Sequence, residues 1–209
     1  IVSAALFEVP DDATDLWAAL SPAVASAPSK SCAAAVCDSK LLHQPGDLTP
    51  LERTAVAFWR ARDGAHEQTF VEFVAAHCSE ALDQLAEVPW YREPALPLPF
   101  VHDSADLAQR AAAVRAALDA AGVRFAGLRS TLADALAFNA GIERPGNKSD
   151  FLFESSAPLY RWLWETVAGP RPLTVHVGKQ GGRTFYSDRL QALFPEAFVM
   201  TSSESAELS

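Results

Sequence analysis

Short apolar runs recur along this chain between much longer stretches of helical periodicity, and that alternation limits the folds open to it. Residues 1–9, 31–36, 123–129, 172–177 and 197–201 read as strands. The segments between them carry apolar residues at three- and four-residue spacing, the signature of amphipathic helices. Strands separated by helices predict a mixed or parallel sheet covered by helices, an α/β domain. With 209 residues the chain is long enough to bury a substantial core, and we read it as one domain spanning 1–209.

The helix signals are local. Acidic residues Asp11, Asp12 and Asp15 open a helix through Leu16, Trp17 and Leu20. Thr49 as N-cap, Pro50 at the first position and Glu52 at the capping-box position open another, carrying Val56, Phe58 and Trp59. A second helix over 67–88 holds Phe70, Phe73, Val74, Cys78, Leu82 and Leu85, and the two read as an antiparallel pair. Prolines 89, 94, 97 and 99 make 89–100 an extended connection. An alanine-rich helix over 104–121 ends at Gly122, and further helices are expected over 131–138, 149–167 and 185–194. Pro158 is expected to kink or divide the second of these.

Composition narrows function. The net charge of −9 argues against a protein that coats nucleic acid by bulk electrostatics, although a local basic groove remains compatible with it. Cys32, Cys37 and Cys78 form neither a CxxC pair nor an even set, so buried reduced thiols are expected. No apolar run approaches the roughly 20 residues of a membrane span, and no basic segment leads an apolar stretch at the start, which gives a cytoplasmic expectation.

Two polar signatures carry the candidate chemistry. Asp38-Ser39-Lys40 offers a carboxylate, a hydroxyl and a cation in one turn after a buried run. Its hydroxyl, cation and backbone amides suit one phosphate. Gly178-Lys179-Gln180-Gly181-Gly182-Arg183 joins glycines that let backbone approach an anion to two cations, and Arg183 can pair a phosphate in bidentate fashion. Its spacing fits neither the dinucleotide-binding nor the P-loop pattern. Elsewhere Trp59, Trp162 and Trp164 have core spacing, and Trp90-Tyr91-Arg92 lies in the proline-rich connection. Ser149 reads as an N-cap, and His77 and Cys78 as core residues.

The run Ala34-Ala35-Val36-Cys37-Asp38-Ser39-Lys40-Leu41-Leu42, placed after an opening strand and before a helix, resembles the Asp-Ser-Lys motif of the type 2 ribonucleases H. The resemblance implies a ribonuclease-H-like mixed sheet flanked by helices, with 67–100 as an inserted helical segment and proline-rich loop. It implies metal-dependent hydrolysis of the RNA strand of RNA/DNA hybrids, with Mg²⁺ or Mn²⁺ as cofactor. Asp38, Ser39, Lys40, Lys179 and Arg183 would contact the substrate. The family's first strand and its acidic, glycine-rich turn would lie upstream of Ile1, so the chain reads as a truncated or degenerate member. Where the family's fourth strand ends in aspartate this chain has Val177-Gly178. His176 is then a candidate metal ligand, and Glu204 and Glu207 are candidate catalytic carboxylates. Without the first-motif acids the chain is expected to be catalytically incomplete. A non-catalytic nucleic-acid-binding module of the same fold is the alternative, and an α/β enzyme binding a phosphorylated small molecule is a third.

Overall fold

The computed structural model describes residues 1–11, 14–21, 23–29, 31–43, 46–62, 69–89, 96–100, 103–143, 147–167, 172–178, 180 and 182–201, apart from the side chains of Ser39, Lys40 and Ser79. The elements are, in order, β1 (Val2–Glu8), α1 (Leu16–Leu20), β2 (Val24–Ala25), β3 (Ala34–Ala35), α2 (Ser39–Leu42), α3 (Thr49–Ala61) and α4 (Phe70–His77). A 3₁₀ turn (Ser79–Ala81) leads to α5 (Leu82–Glu87), α6 (Ser104–Ala120), β4 (Arg124–Thr131), α7 (Ala135–Glu143), α8 (Lys148–Thr166) and α9 (Ser187–Leu193). The protein is therefore mixed α/β, with helix predominating and two small two-stranded sheets, β1–β4 and β2–β3. Contacts Ser3–Ser130, Phe7–Phe125 and Glu8–Arg124 run in opposite order along β1 and β4, as in an antiparallel pair. β2 and β3 pair in parallel, Val24 with Ala34 and Ala25 with Ala35. The chain divides into two compact units, one of residues 5–82 and 86–128, the other of 1–4, 83–85 and 129–209.

In the first unit the principal helix contact is α3 on α6. Small residues make it close: Ala57 and Ala61 of α3 join Val114 and Leu118 of α6 in a buried cluster with Leu20, Val24, Ala34, Val123 and Phe125. Trp59 and Leu107 form a second cluster with Val56. Asp103 caps α6, its Oδ1 accepting from the Ala105 amide at 2.6 Å. Gly122, at φ +64°, ends the helix in the left-handed conformation that a side chain resists. Cys32 and Cys78 are buried thiols and Cys37 is half-buried. His77 is buried, with Nδ1 3.2 Å from the Leu128 carbonyl oxygen and its ring edge-on to Trp59 and Phe73, a core placement.

Several expectations need correction. The helix expected over 67–88 breaks at Cys78 (φ −152°, ψ 46°) into α4, a 3₁₀ turn and α5, and α3 takes α6 as its principal helix partner instead. Thr49 is the first helical residue and no cap, since Asp47 Oδ1 accepts from the Thr49 amide at 2.9 Å. The capping box lies at Thr69 and Glu72. Residues 172–177 and 197–201 form no strand: neither has a ladder partner among the described residues, and Val175, Val177, Phe198 and Met200 are exposed. β-Propensity without a neighbouring strand leaves a segment merely extended. α8 runs unbroken through Pro158. Trp90, Tyr91 and Arg92 lie outside the described residues.

In the second unit, α8 and α9 bury Phe153, Tyr160 and Phe194, with Tyr186, Leu190, Leu193, Ala197 and Val199 packed around them. Thr131 Oγ1 donates to the Ser155 carbonyl at 2.8 Å, which fastens the end of β4 to α8.

Candidate functional site

The first turn of α8 is built by its sequence. Asn147 is the N-cap, in extended backbone, and its Oδ1 accepts from the Asp150 amide at 2.8 Å. This is the role expected of Ser149, which is corrected here: Ser149 is the second helical residue, and its hydroxyl donates to the Gln180 carbonyl oxygen at 3.1 Å. That bond ties the glycine-rich segment to the helix start.

Gln180 anchors the segment further. Its amide donates to the Tyr186 hydroxyl at 2.8 Å, and its Nε2 donates to Ser156 Oγ at 2.7 Å and to the Tyr160 hydroxyl at 3.1 Å. The Arg183 amide donates to the Gln180 carbonyl at 2.9 Å, closing a turn in which Gly182 sits at φ +90° with open space around it. A non-glycine residue there would be strained by backbone conformation alone. Burial pushes the Tyr160 phenol above its usual range, against the hydrogen bonds of Gln180 and Ser156.

The charges converge on Asp150. Its Oδ1 accepts from Arg183 and forms an ion pair with Arg189, and its Oδ2 accepts from Asn147 Nδ2 at 2.8 Å. The two guanidinium carbons lie 5.9 and 5.4 Å from the centre of the Phe153 ring, over its negative face. The Asn147 hydrogen bond chiefly, then the two arginines, hold the Asp150 carboxyl below the usual carboxylate range. Beside this cluster Asn147, Lys148, Ser149, Asp150, Gly182 and Arg183 line an open polar depression. Among the described residues Lys148 and Arg183 line the depression with Asp150, and the first backbone amides of a 19-residue helix add partial positive charge.

The other sequence candidates fall as follows. Asp38 is exposed and precedes the four-residue α2, its carbonyl accepting from the Leu41 amide at 2.9 Å. It belongs to the unit of residues 5–82 and 86–128, whereas 178–183 belong to the other. The side chains of Ser39 and Lys40, and Lys179, Glu204 and Glu207 altogether, lie outside the described residues. His176, the candidate metal ligand, is exposed on a segment that is no strand. Among the described residues no three His, Cys, Asp or Glu side chains come together as a metal-holding group, and no helix is long and apolar enough to cross a membrane. Sequence reasoning missed Asp150 and Arg189. The signal for the first was Asn147 followed three residues later by an acid, a cap with its N3 partner; Arg189 had none. No family model, no curated protein and no solved structure matches the chain.

Proposed function

We propose that this protein is a ribonuclease-H-like nucleic-acid-binding module that grips the phosphate backbone of an RNA/DNA hybrid and does not cleave it. The observation that carries the reading is the cationic depression where the 178–183 segment is fastened to the start of α8: Lys148 and Arg183 line it together with Gly182. Backbone phosphates are held by cations, hydroxyls and helix-start amides; this depression offers cations and helix-start amides, while the hydroxyl of Ser149 is donated to the Gln180 carbonyl. Arg183 is the backbone contact here, and Lys179, Asp38, Ser39 and Lys40 are carried as further substrate contacts from the sequence alone. The hydrolytic reading requires Mg²⁺ or Mn²⁺ and a set of clustered carboxylates to hold it. The described residues supply no such donor set, so no step is routed through an ion.

The test is fluorescence anisotropy with a labelled RNA/DNA hybrid across a salt series, with and without Mg²⁺ or Mn²⁺. Binding that weakens log-linearly with salt is expected, and Lys148→Ala should flatten the slope by about one contact. No measurable binding at low salt would overturn the reading. Metal-dependent cleavage of the hybrid would replace the binding module with the nuclease.

A further inference from the structure

We propose that Asp150 is a built-in competitor for the nucleic-acid phosphate: it occupies Arg183 and Arg189 in the free protein, and phosphate takes its place as their partner on binding. The inference rests on the reading of the α8 depression as a phosphate contact and adds its regulation.

The geometry points this way in three respects. First, both arginines end on the same carboxylate oxygen, Oδ1, while Asn147 takes the other. Each guanidinium carries five N–H donors. One carboxylate shared between two of them leaves donors over, and Arg183 Nε is buried with no hydrogen-bond partner among the described residues. Second, a carboxylate presents its oxygens to a guanidinium much as a phosphate does, so the two ligands suit the same donors. Third, Asp150 sits on the wall of the depression itself, beside Lys148, Ser149 and Gly182. An arriving phosphate meets Arg183 and its present partner at one place, and Arg189 reaches the same carboxylate oxygen. A carboxylate whose task is only to complement the helix dipole requires one such position at the first turn and no second arginine.

Asp150→Asn separates the two roles, because asparagine keeps the size and a hydrogen-bonding oxygen while removing the charge that competes. Hybrid affinity is expected to rise about three- to tenfold, with a salt slope steeper by about one contact. Glu196→Gln is the charge control. It removes one negative charge from the ion pair with Arg161, outside the depression, and is expected to leave affinity within about twofold. Equal gains in the two variants, or no gain in Asp150→Asn while the wild type binds, would overturn the inference and leave the binding reading standing. Absence of binding by both wild type and Asp150→Asn would overturn the binding reading itself. Should Asp150→Asn fail to fold, the wild-type protein decides: saturating hybrid must shift the Nε–Hε NMR resonances of Arg183 and Arg189, and unshifted resonances refute the exchange of partners.

Discussion

Gly141 lies inside α7, where glycine is ordinarily a defect, and its replacement by alanine sets two effects of opposite sign against each other. In a helix interior alanine is favoured over glycine by about 1 kcal/mol. A Cβ built on Gly141, however, falls on the Phe151 ring of α8, against Cε2 and Cδ2, with Cζ at 3.4 Å. That ring is also held edge-on by Phe138, centroids 5.1 Å apart and planes at 88°, so it has little room to yield. Overpacking of this kind costs about 1–3 kcal/mol. The steric effect wins on balance, and Gly141→Ala should destabilise the protein by up to about 2 kcal/mol. In a Phe151→Ala background the obstacle is gone, and the same substitution should instead stabilise by up to about 1 kcal/mol. Urea unfolding of the four proteins completes a double-mutant cycle with an expected coupling of at least about 1 kcal/mol. Stabilisation of the wild type by Gly141→Ala, or equal effects in both backgrounds, would refute the close approach of α7 to α8. Phe151 directly follows Asp150, so this helix contact also positions the turn that holds the arginine pair. Displacing the ring should weaken hybrid binding without altering any charge.

Leu107 of α6 is fully buried against Val56 and Trp59, and Leu107→Ala should cost about 2–5 kcal/mol, read as a lower urea midpoint at unchanged slope; a loss below about 0.5 kcal/mol would show that the α3–α6 core is not packed as described. Asp150 and Glu196 both ionise below their ordinary values of 3.8 and 4.5, Glu196 chiefly through its hydrogen bond from Arg161. Depressed carboxyl values in the folded state mean that the stabilisation is complete above the unfolded values and fades as pH falls through the folded ones. The melting temperature should therefore start to fall near pH 4.5 and continue below 3.8, and an Asp150→Asn, Glu196→Gln double variant should fall less steeply; parallel curves would remove both ion pairs from the account.

The sequence was most readable where a signal is local. The alanine-rich helix ending at Gly122 appears as α6 with its glycine at positive φ, because a C-terminal stop is encoded within a few residues. Over 67–88 the apolar spacing is right and the helix is not continuous. Val74, Cys78 and Leu85 are buried on both sides of the break, so periodicity recorded which residues face inward rather than where the hydrogen-bond ladder runs. Pro158 shows the converse. Ser155 and Ser156 donate their hydroxyls to the Phe151 and Leu152 carbonyls, each at 2.8 Å, one turn back along the helix. Buried Leu159, Tyr160 and Leu163 then follow the proline on the packed face, and their burial holds α8 together where propensity alone would end it. Residues 172–177 have every local mark of a strand, but a strand exists only with a neighbour, which no property of those six residues encodes.

The same distinction governs the site. The glycines and cations of 178–183 give an expectation of anion binding through composition, and composition says nothing of the counter-ion already present. Asp150 is 33 residues from Arg183, and nothing in either segment names the other. Once they meet, the meaning of Arg183 changes: its side chain is only 16% exposed and paired, so its charge reaches a ligand only after Asp150 is displaced or outcompeted. In the proposed binding mode Lys148, which lines the depression, is the contact that attracts, and Arg183, already paired, the contact that exchanges. Substituting Lys148 should then act mainly on the salt dependence and rate of association, whereas substituting Arg183 should act on how long the complex lasts. Stopped-flow mixing with the hybrid separates the two rates, and a Lys148→Ala defect confined to dissociation would reverse this division of roles.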